Sequence, residues 1–261
     1  MDRMIHTALN SLKMLMQNQQ ITSQNISNAS VIGYRKDAVS DFTSVYLDTE
    51  KGLDARVFST RQIGGFSTEQ GDLESTESPL DIAIRGDGYI IIQPQNGEIA
   101  LSRRGDMRID PAGQLMDGEG NFILGEDMQP LVIPPYRELS ITSDGIINIK
   151  ALNAPLDALP EAVGTIGTTS AAELDLEKSR DGYIRPKITL DAEGNPNDPE
   201  EIIPDQQVFL VNKFLEHSNV NAVEELVSTL EQQRHYETHV KFIELAKQIN
   251  EGGASLLRMP E

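Results

Sequence analysis

Two histidines four residues apart, His235 and His239, are spaced to meet one metal ion from a single helix face. The zinc-hydrolase pattern places its glutamate directly after the first histidine. Here His235-Tyr236-Glu237-Thr238-His239 carries the acid one position further on, and no third ligand is evident. Both histidines therefore read as helix-surface residues. Asp117-Gly118-Glu119-Gly120-Asn121 opens like a calcium loop, which needs glycine at its sixth position and glutamate at its twelfth. Phe122 and Met128 stand there, and Asp191-Ala192-Glu193-Gly194-Asn195 fails in the same way with Pro196 and Ile202. Both stretches read as turns. Arg85-Gly86-Asp87 spells a short adhesion tripeptide that Gly86-Asp87-Gly88 explains as a hairpin turn. Glycine-rich phosphate loops, nucleophile elbows and Rossmann fingerprints do not occur in the chain. These residues predict no enzyme, no metal and no cofactor.

The charge balance narrows the partners. The 261 residues include 22 bases against 41 acids, a net charge of −19. Such a surface repels nucleic acid and anionic membranes, because phosphate attraction has the wrong sign. Hydrophobic residues make up 38% and aromatics 5%, lean for a compact enzyme and suited to an extended or multi-part protein. The absence of cysteine excludes disulfides and thiolate metal sites. The aliphatic runs, such as 89–92, are too short to span a bilayer. The first residues lack the apolar run of a secretory signal, which on its own predicts a cytoplasmic protein.

The apolar spacing predicts a helix over residues 3–30, interrupted by neither proline nor glycine until Gly33. Its second half is unusual. No charged residue lies between Lys13 and Arg35, and ten of the twelve side chains in 17–28 are amides or hydroxyls, with Ile21 and Ile26 the exceptions. A solvated helix carries charges on its outer face, and amides are costly in hydrocarbon. The pattern predicts a helix packed on most sides by other protein, with copies of the same chain as the obvious source. A disordered amide-rich tail is the alternative. A second helix is predicted over 221–250, with Asn221 and Glu224 as a capping box, an apolar side that includes Val223, Leu226, Val227 and Leu230, and Gly252-Gly253 as its stop. The similar lengths of the two helices predict an antiparallel pair.

Between the helices the period changes to short β-type runs at 81–84, 89–92, 107–110, 121–124, 131–133, 139–142 and 146–150. Gly86-Asp87-Gly88, Pro111-Ala112-Gly113, Asp117-Gly118-Glu119-Gly120 and Ser143-Asp144-Gly145 punctuate them as turns. The expected fold class is α+β: terminal helices paired as an antiparallel coiled-coil-like hairpin, with an inserted antiparallel β domain. The expected segments are an N-terminal helix at 1–33, a connection at 34–72, a β-rich middle domain at 73–206, a return at 207–220, and a C-terminal helix with tail at 221–261.

Three ordered stretches resemble the rod, hook and hook-basal-body family of flagellar axial proteins. Asn25-Ile26-Ser27-Asn28-Ala29-Ser30-Val31-Ile32-Gly33-Tyr34-Arg35 is similar to the family's N-terminal signature, Asn-x-Ala-Asn-x-x-Thr-x-Gly-Tyr/Phe-Lys/Arg, departing from it at Ser27 and Val31 and carrying Ile32 where proline is frequent. Gly71-Asp72-Leu73-Glu74, Pro79-Leu80-Asp81-Ile82-Ala83-Ile84-Arg85-Gly86-Asp87-Gly88-Tyr89 and Ser102-Arg103-Arg104-Gly105-Asp106 resemble its middle domain. Leu215-Glu216-His217-Ser218-Asn219-Val220-Asn221, followed by Glu224-Glu225-Leu226-Val227, resembles its C-terminal signature. The opening Met-Asp-Arg, Leu53-Asp54-Ala55-Arg56-Val57-Phe58 and Asn153-Ala154-Pro155-Leu156-Asp157 look most like the family's proximal-rod type, and the distal-rod type is the alternative.

The resemblance implies a structural subunit of the periplasmic rod of the flagellar basal body, exported without a cleaved signal by the flagellar type III export apparatus. Its implied partners are other rod proteins, proximal and distal, and copies of itself. The implied assembly residues are Asn25, Ile26, Asn28, Gly33 and Tyr34 in the first motif. In the last they are Leu215, Glu216, Ser218, Asn219, Val220, Asn221, Glu224, Leu226 and Leu230. An extracellular adhesion or binding module is the competing reading of the acidic β region.

Overall fold

The computed structural model describes residues 2–38, 43–46, 57–60, 65–95, 97–155, 158–179, 181–189, 197–198, 200–205 and 207–256. Met1 of the opening motif, the 53–56 and 156–157 parts of two others, and the turn at 191–195 lie outside them. The chain divides into two units. One comprises 1–27, 37–65 and 221–261, and the other 28–36 and 66–220.

The first unit holds both helices. Helix α1 runs Asp2–Ser27 and α2 runs Ala222–Leu256. At 1.5 Å per residue these are about 39 and 53 Å long, so the expected match in length does not hold. Helix α2 passes straight through Gly252-Gly253. Glycine costs only about 1 kcal/mol per helical position, too little to force a stop without a C-cap motif. The start of α2 is as expected: Asn221 Oδ1 accepts the backbone N–H groups of Val223 at 3.1 Å and Glu224 at 3.4 Å. Strands Thr43–Tyr46 and Val57–Thr60 pair antiparallel, Thr43 opposite Thr60, within the stretch expected as a plain connection.

The expected α+β class with a coiled-coil-like hairpin is not what forms. The protein is mostly β, with seventeen described strands in several antiparallel sheets and one helix near each end. The helices touch, for example where Gln232 Nε2 donates to Thr22 Oγ1 at 3.0 Å, but they form no regular seam. A coiled coil needs apolar residues alternating three and four apart along one stripe. On α2 that stripe begins at Val223, Leu226 and Leu230 and then meets Gln233 and Glu237. Its exposed apolar residues, Val223, Leu226, Leu230, Val240, Phe242 and Ile249 among them, spread over roughly 200° of the helix circumference.

The second unit is built around Tyr89–Gln93. Its run Tyr89-Ile90-Ile91-Ile92 is apolar at every position, as a strand buried on both faces requires. Ile90 and Ile92 pack with Ile82, Ile84, Leu115, Ile123, Ile147 and Leu210, whereas Tyr89 and Ile91 pack with Leu101, Leu124, Ile184 and Ile202. The sheet follows the order Leu176–Lys178, Ile184–Pro186, Ala100–Ser102, Tyr89–Gln93, Phe122–Ile123, Leu115–Met116, Arg108–Ile109, with Thr168–Thr169 also on Tyr89–Gln93. A second sheet joins Tyr136–Ile141, Ile146–Ala151 and Glu161–Thr165. The strand expected at 131–133 is reduced to a single bridge between Gln114 and Val132. The chain returns last: Phe209–Asn212 pairs Ile82–Arg85, and Phe214–Glu216 pairs Leu73–Ser75.

Candidate functional site

Gly33 ends the turn that follows α1. Its φ is +68°, and a Cβ there would sit 2.5 Å from the carbonyl carbon of Arg103. Only glycine satisfies both conditions. This close approach brings 33–36 against the C-terminal motif. Gly33 N donates to Glu216 O at 2.7 Å, and Asn219 N donates to Tyr34 O at 3.3 Å. Lys36 N donates to Asn219 Oδ1 at 2.7 Å, and Asn219 Nδ2 donates to Glu69 O at 2.8 Å. The N- and C-terminal motifs, far apart in the chain, are two halves of one pairing.

A charge cluster lies beneath that pairing. Glu216 Oε1 accepts from Arg35 Nη2 at 3.0 Å and from Gly71 N at 3.1 Å. Its Oε2 lies 3.7 Å from Arg103 Nε, an ion pair too long for a hydrogen bond. The two guanidinium side chains are 2% exposed and the carboxylate 1%. Arg103 Nη2 donates to Gly86 O at 2.5 Å, and its guanidinium lies 5.8 Å from the centre of the Tyr89 ring. Burial lowers the Arg103 pKa below its ordinary value, and the Glu216 charge opposes that shift. Burial raises the Tyr89 phenol, against the pull of Arg35 and Arg103. Beside the cluster, Lys178 Nζ lies 3.7 Å from the centre of the Tyr34 ring and donates to Arg35 O at 2.9 Å.

Gly33, Tyr34, Glu216 and Asn219 therefore meet directly. Leu215 is half-buried and opposes Glu74 in the short sheet. Ser218 Oγ accepts Val220 N at 3.2 Å, and Val220 is buried. Asn28 O accepts Val31 N at 3.1 Å in the turn after α1. The remaining residues belong to the helical unit. Asn25 is buried and pairs twice with the Asp37 backbone, its Oδ1 accepting at 2.9 Å and its Nδ2 donating at 3.1 Å. Ile26 is half-buried. Asn221 caps α2, Glu224 is exposed in its first turn, and Leu226 and Leu230 are 54% and 59% exposed. Sequence reasoning missed Arg35, Lys36, Gly71, Tyr89, Arg103 and Lys178 as site residues. Arg35 and Arg103 stood inside quoted motifs, but nothing in a sequence marks a base as buried.

The possible catalytic signals do not converge. On α2, His235 is exposed and His239 half-buried. Among the described residues no group of three or more His, Asp or Glu gathers as metal ligands. The Asp117 carboxylate is taken up by its own turn, with Oδ1 accepting from Glu119 N and Asn121 N at 2.9 Å and Oδ2 from Asn121 Nδ2 at 2.7 Å. No described helix is long and apolar enough to cross a membrane. What the arrangement offers is a folded β unit and helices with uncovered apolar surface, which is the chemistry of assembly.

Comparison with known proteins agrees. The family described as "Flagellar hook protein FlgE/F/G D1 domain" matches residues 83–149, and "Flagellar basal body rod FlgEFG protein C-terminal" matches 211–256. The chain is 29% identical to the flagellar basal-body rod protein FlgF of Salmonella typhimurium over 257 residues, 98% of each chain. It is 28% identical to FlgF of Escherichia coli over 93% of each. It is 27% identical to FlgG of Caulobacter vibrioides over 97% of this chain and 98% of that one. Two family matches in chain order, on the β unit and on the returning segment with α2, and relatives aligned over nearly the full length lead to one conclusion: the chain is similar to flagellar basal-body rod proteins, FlgF among them.

Proposed function

We propose that this protein is a structural subunit of the bacterial flagellar basal-body rod, working by assembly with other rod proteins and with copies of itself, and not by catalysis. The observation that carries this reading is the uncovered apolar surface of α2, where Val223, Leu226, Val227 and Leu230 are more than half exposed, beside an α1 with no charge between Lys13 and its end. A helix with such a surface is stable in water only when neighbours cover it. In this reading the helical unit, with α1 and α2, supplies the contacts between subunits. The chain passes through the flagellar type III export apparatus to the periplasm. Full-length similarity to FlgF of two enteric bacteria favours the proximal-rod type. The similarity to FlgG of Caulobacter vibrioides keeps the distal type as the second reading.

The test is Ile26→Asp. It places a carboxylate in a stretch with no base nearer in sequence than Lys13 and Arg35. Where neighbouring subunits cover that face, an unpaired buried charge costs several kcal/mol per copy. The expected result is an exported protein with an unchanged β-unit melting temperature that builds no rods. Normal rods built from the variant would refute assembly through this face.

A further inference from the structure

Buried ion triads seldom add stability: a well-packed apolar replacement usually does as well, whereas removing one partner is strongly destabilising. Such a triad makes folding conditional on all its members. In the β unit the members come from three distant parts of the chain. Arg35 precedes the unit's main body, Arg103 follows Ala100–Ser102, and Glu216 ends the last strand.

We propose that the Arg35–Glu216–Arg103 triad is a completion latch, which lets the β unit close only after the returning C-terminal segment delivers Glu216 between the two arginines. Before Glu216 arrives, closure would bring two buried guanidinium groups together. Each already lies within the other's field, since Arg35 works with burial to push the Arg103 pKa down. The other groups near Arg103 offer less: the neutral Gly86 carbonyl, the face of Tyr89, and the Asp87 carboxylate, whose pull on Arg103 is weaker than that of Glu216. Glu216 supplies the counter-charge and also fastens the backbone on both sides, accepting from Gly33 N with its carbonyl and from Gly71 N with its carboxylate. The strand that carries it pairs with Leu73–Ser75, so charge and register are satisfied in one step. A chain that has not yet presented its C-terminal segment stays open. The latch belongs to the β unit alone and is independent of the rod reading.

The test compares the full-length parent with Glu216→Gln and with Arg35→Met/Arg103→Met/Glu216→Leu. Glutamine keeps the shape and an acceptor for Gly71 N but removes the charge. The expected loss in the β-unit melting temperature is on the order of 10 °C, with amide protection lost together at Gly33, Gly71 and 82–85. The triple apolar variant removes every charge, and its melting temperature should return to within a few degrees of the parent. Two results overturn the latch. One is a Glu216→Gln protein that melts within about 2 °C of the parent. The other is a triple variant as unstable as Glu216→Gln, including the case in which neither folds, because packing or the Gly71 hydrogen bond would then explain the loss without charge.

Discussion

Gly33→Ala perturbs the point where the two signature motifs touch, and its cost can be worked from geometry. At φ +68° an alanine Cβ pays a left-handed penalty of about 1–2 kcal/mol. The same Cβ would lie 2.5 Å from Arg103 C and 2.6 Å from Arg103 O and Arg104 N. These are backbone atoms held in the sheet unit, so they cannot rotate aside. Forcing them apart costs about 1–3 kcal/mol, as overpacking does elsewhere. It also pulls Gly33 N away from Glu216 O, a 2.7 Å bond with a net contribution of about 1 kcal/mol. The total is about 3–6 kcal/mol, or on the order of 10 °C in the melting temperature of a unit this size. Gly86→Ala is the control: its φ is +83° with nothing within 4 Å of the new Cβ, so it carries only the left-handed penalty. Urea melts of both variants followed by near-ultraviolet circular dichroism give the comparison. A Gly33→Ala protein no less stable than Gly86→Ala would refute the close-approach argument.

Other outcomes follow from the same structure. Leu226→Glu with Leu230→Glu should leave monomer melting nearly unchanged, since both side chains are exposed, and should abolish rod formation in a complementation assay. His235→Ala with His239→Ala should leave swimming speed at the parent's value, because both read as helix-surface groups; paralysis with normal export would contradict this. Alkaline pH should unfold the β unit through Tyr89. Its phenol is raised above the ordinary value of 10.0 by burial, so the unfolded chain releases its proton first. The stability from keeping it neutral is complete below pH 10 and falls away above it. Tyr89→Phe should flatten that alkaline limb in a pH series of thermal melts.

How far the sequence foretold the molecule varies with the distance over which the physics acts. Local signals were reliable. Asn221 caps α2, Gly86, Gly113, Gly120 and Gly145 take positive φ at turns, and the unbroken Tyr89–Ile92 run is the central strand. Signals that depend on a partner were weaker. The apolar residues of α2 were legible as a list, but the interruption of their stripe at Gln233 and Glu237 outweighs the equal-length argument for a coiled-coil hairpin. Gly252-Gly253 looked like a stop because propensity is local, yet the helix continues through both. The pairing of 33–36 with 216–219 was invisible, since no residue type announces a contact across most of the chain. Each motif is legible by itself, and only the fold gives the reason they coexist. Arg35 and Arg103 carry no signal of their role, because a base is expected at the surface, and only the fold shows the carboxylate that serves both.

The most direct test of the account is electron microscopy of basal bodies from a strain lacking this protein, with the parental chain and the Leu226→Glu/Leu230→Glu variant returned in parallel. Assembly through the terminal helices predicts basal bodies without a complete rod in the deletion, restored rods with the parental chain, and no restoration by a variant that is exported and folded. Complete rods in the deletion strain would contradict the assignment of this chain as a rod subunit.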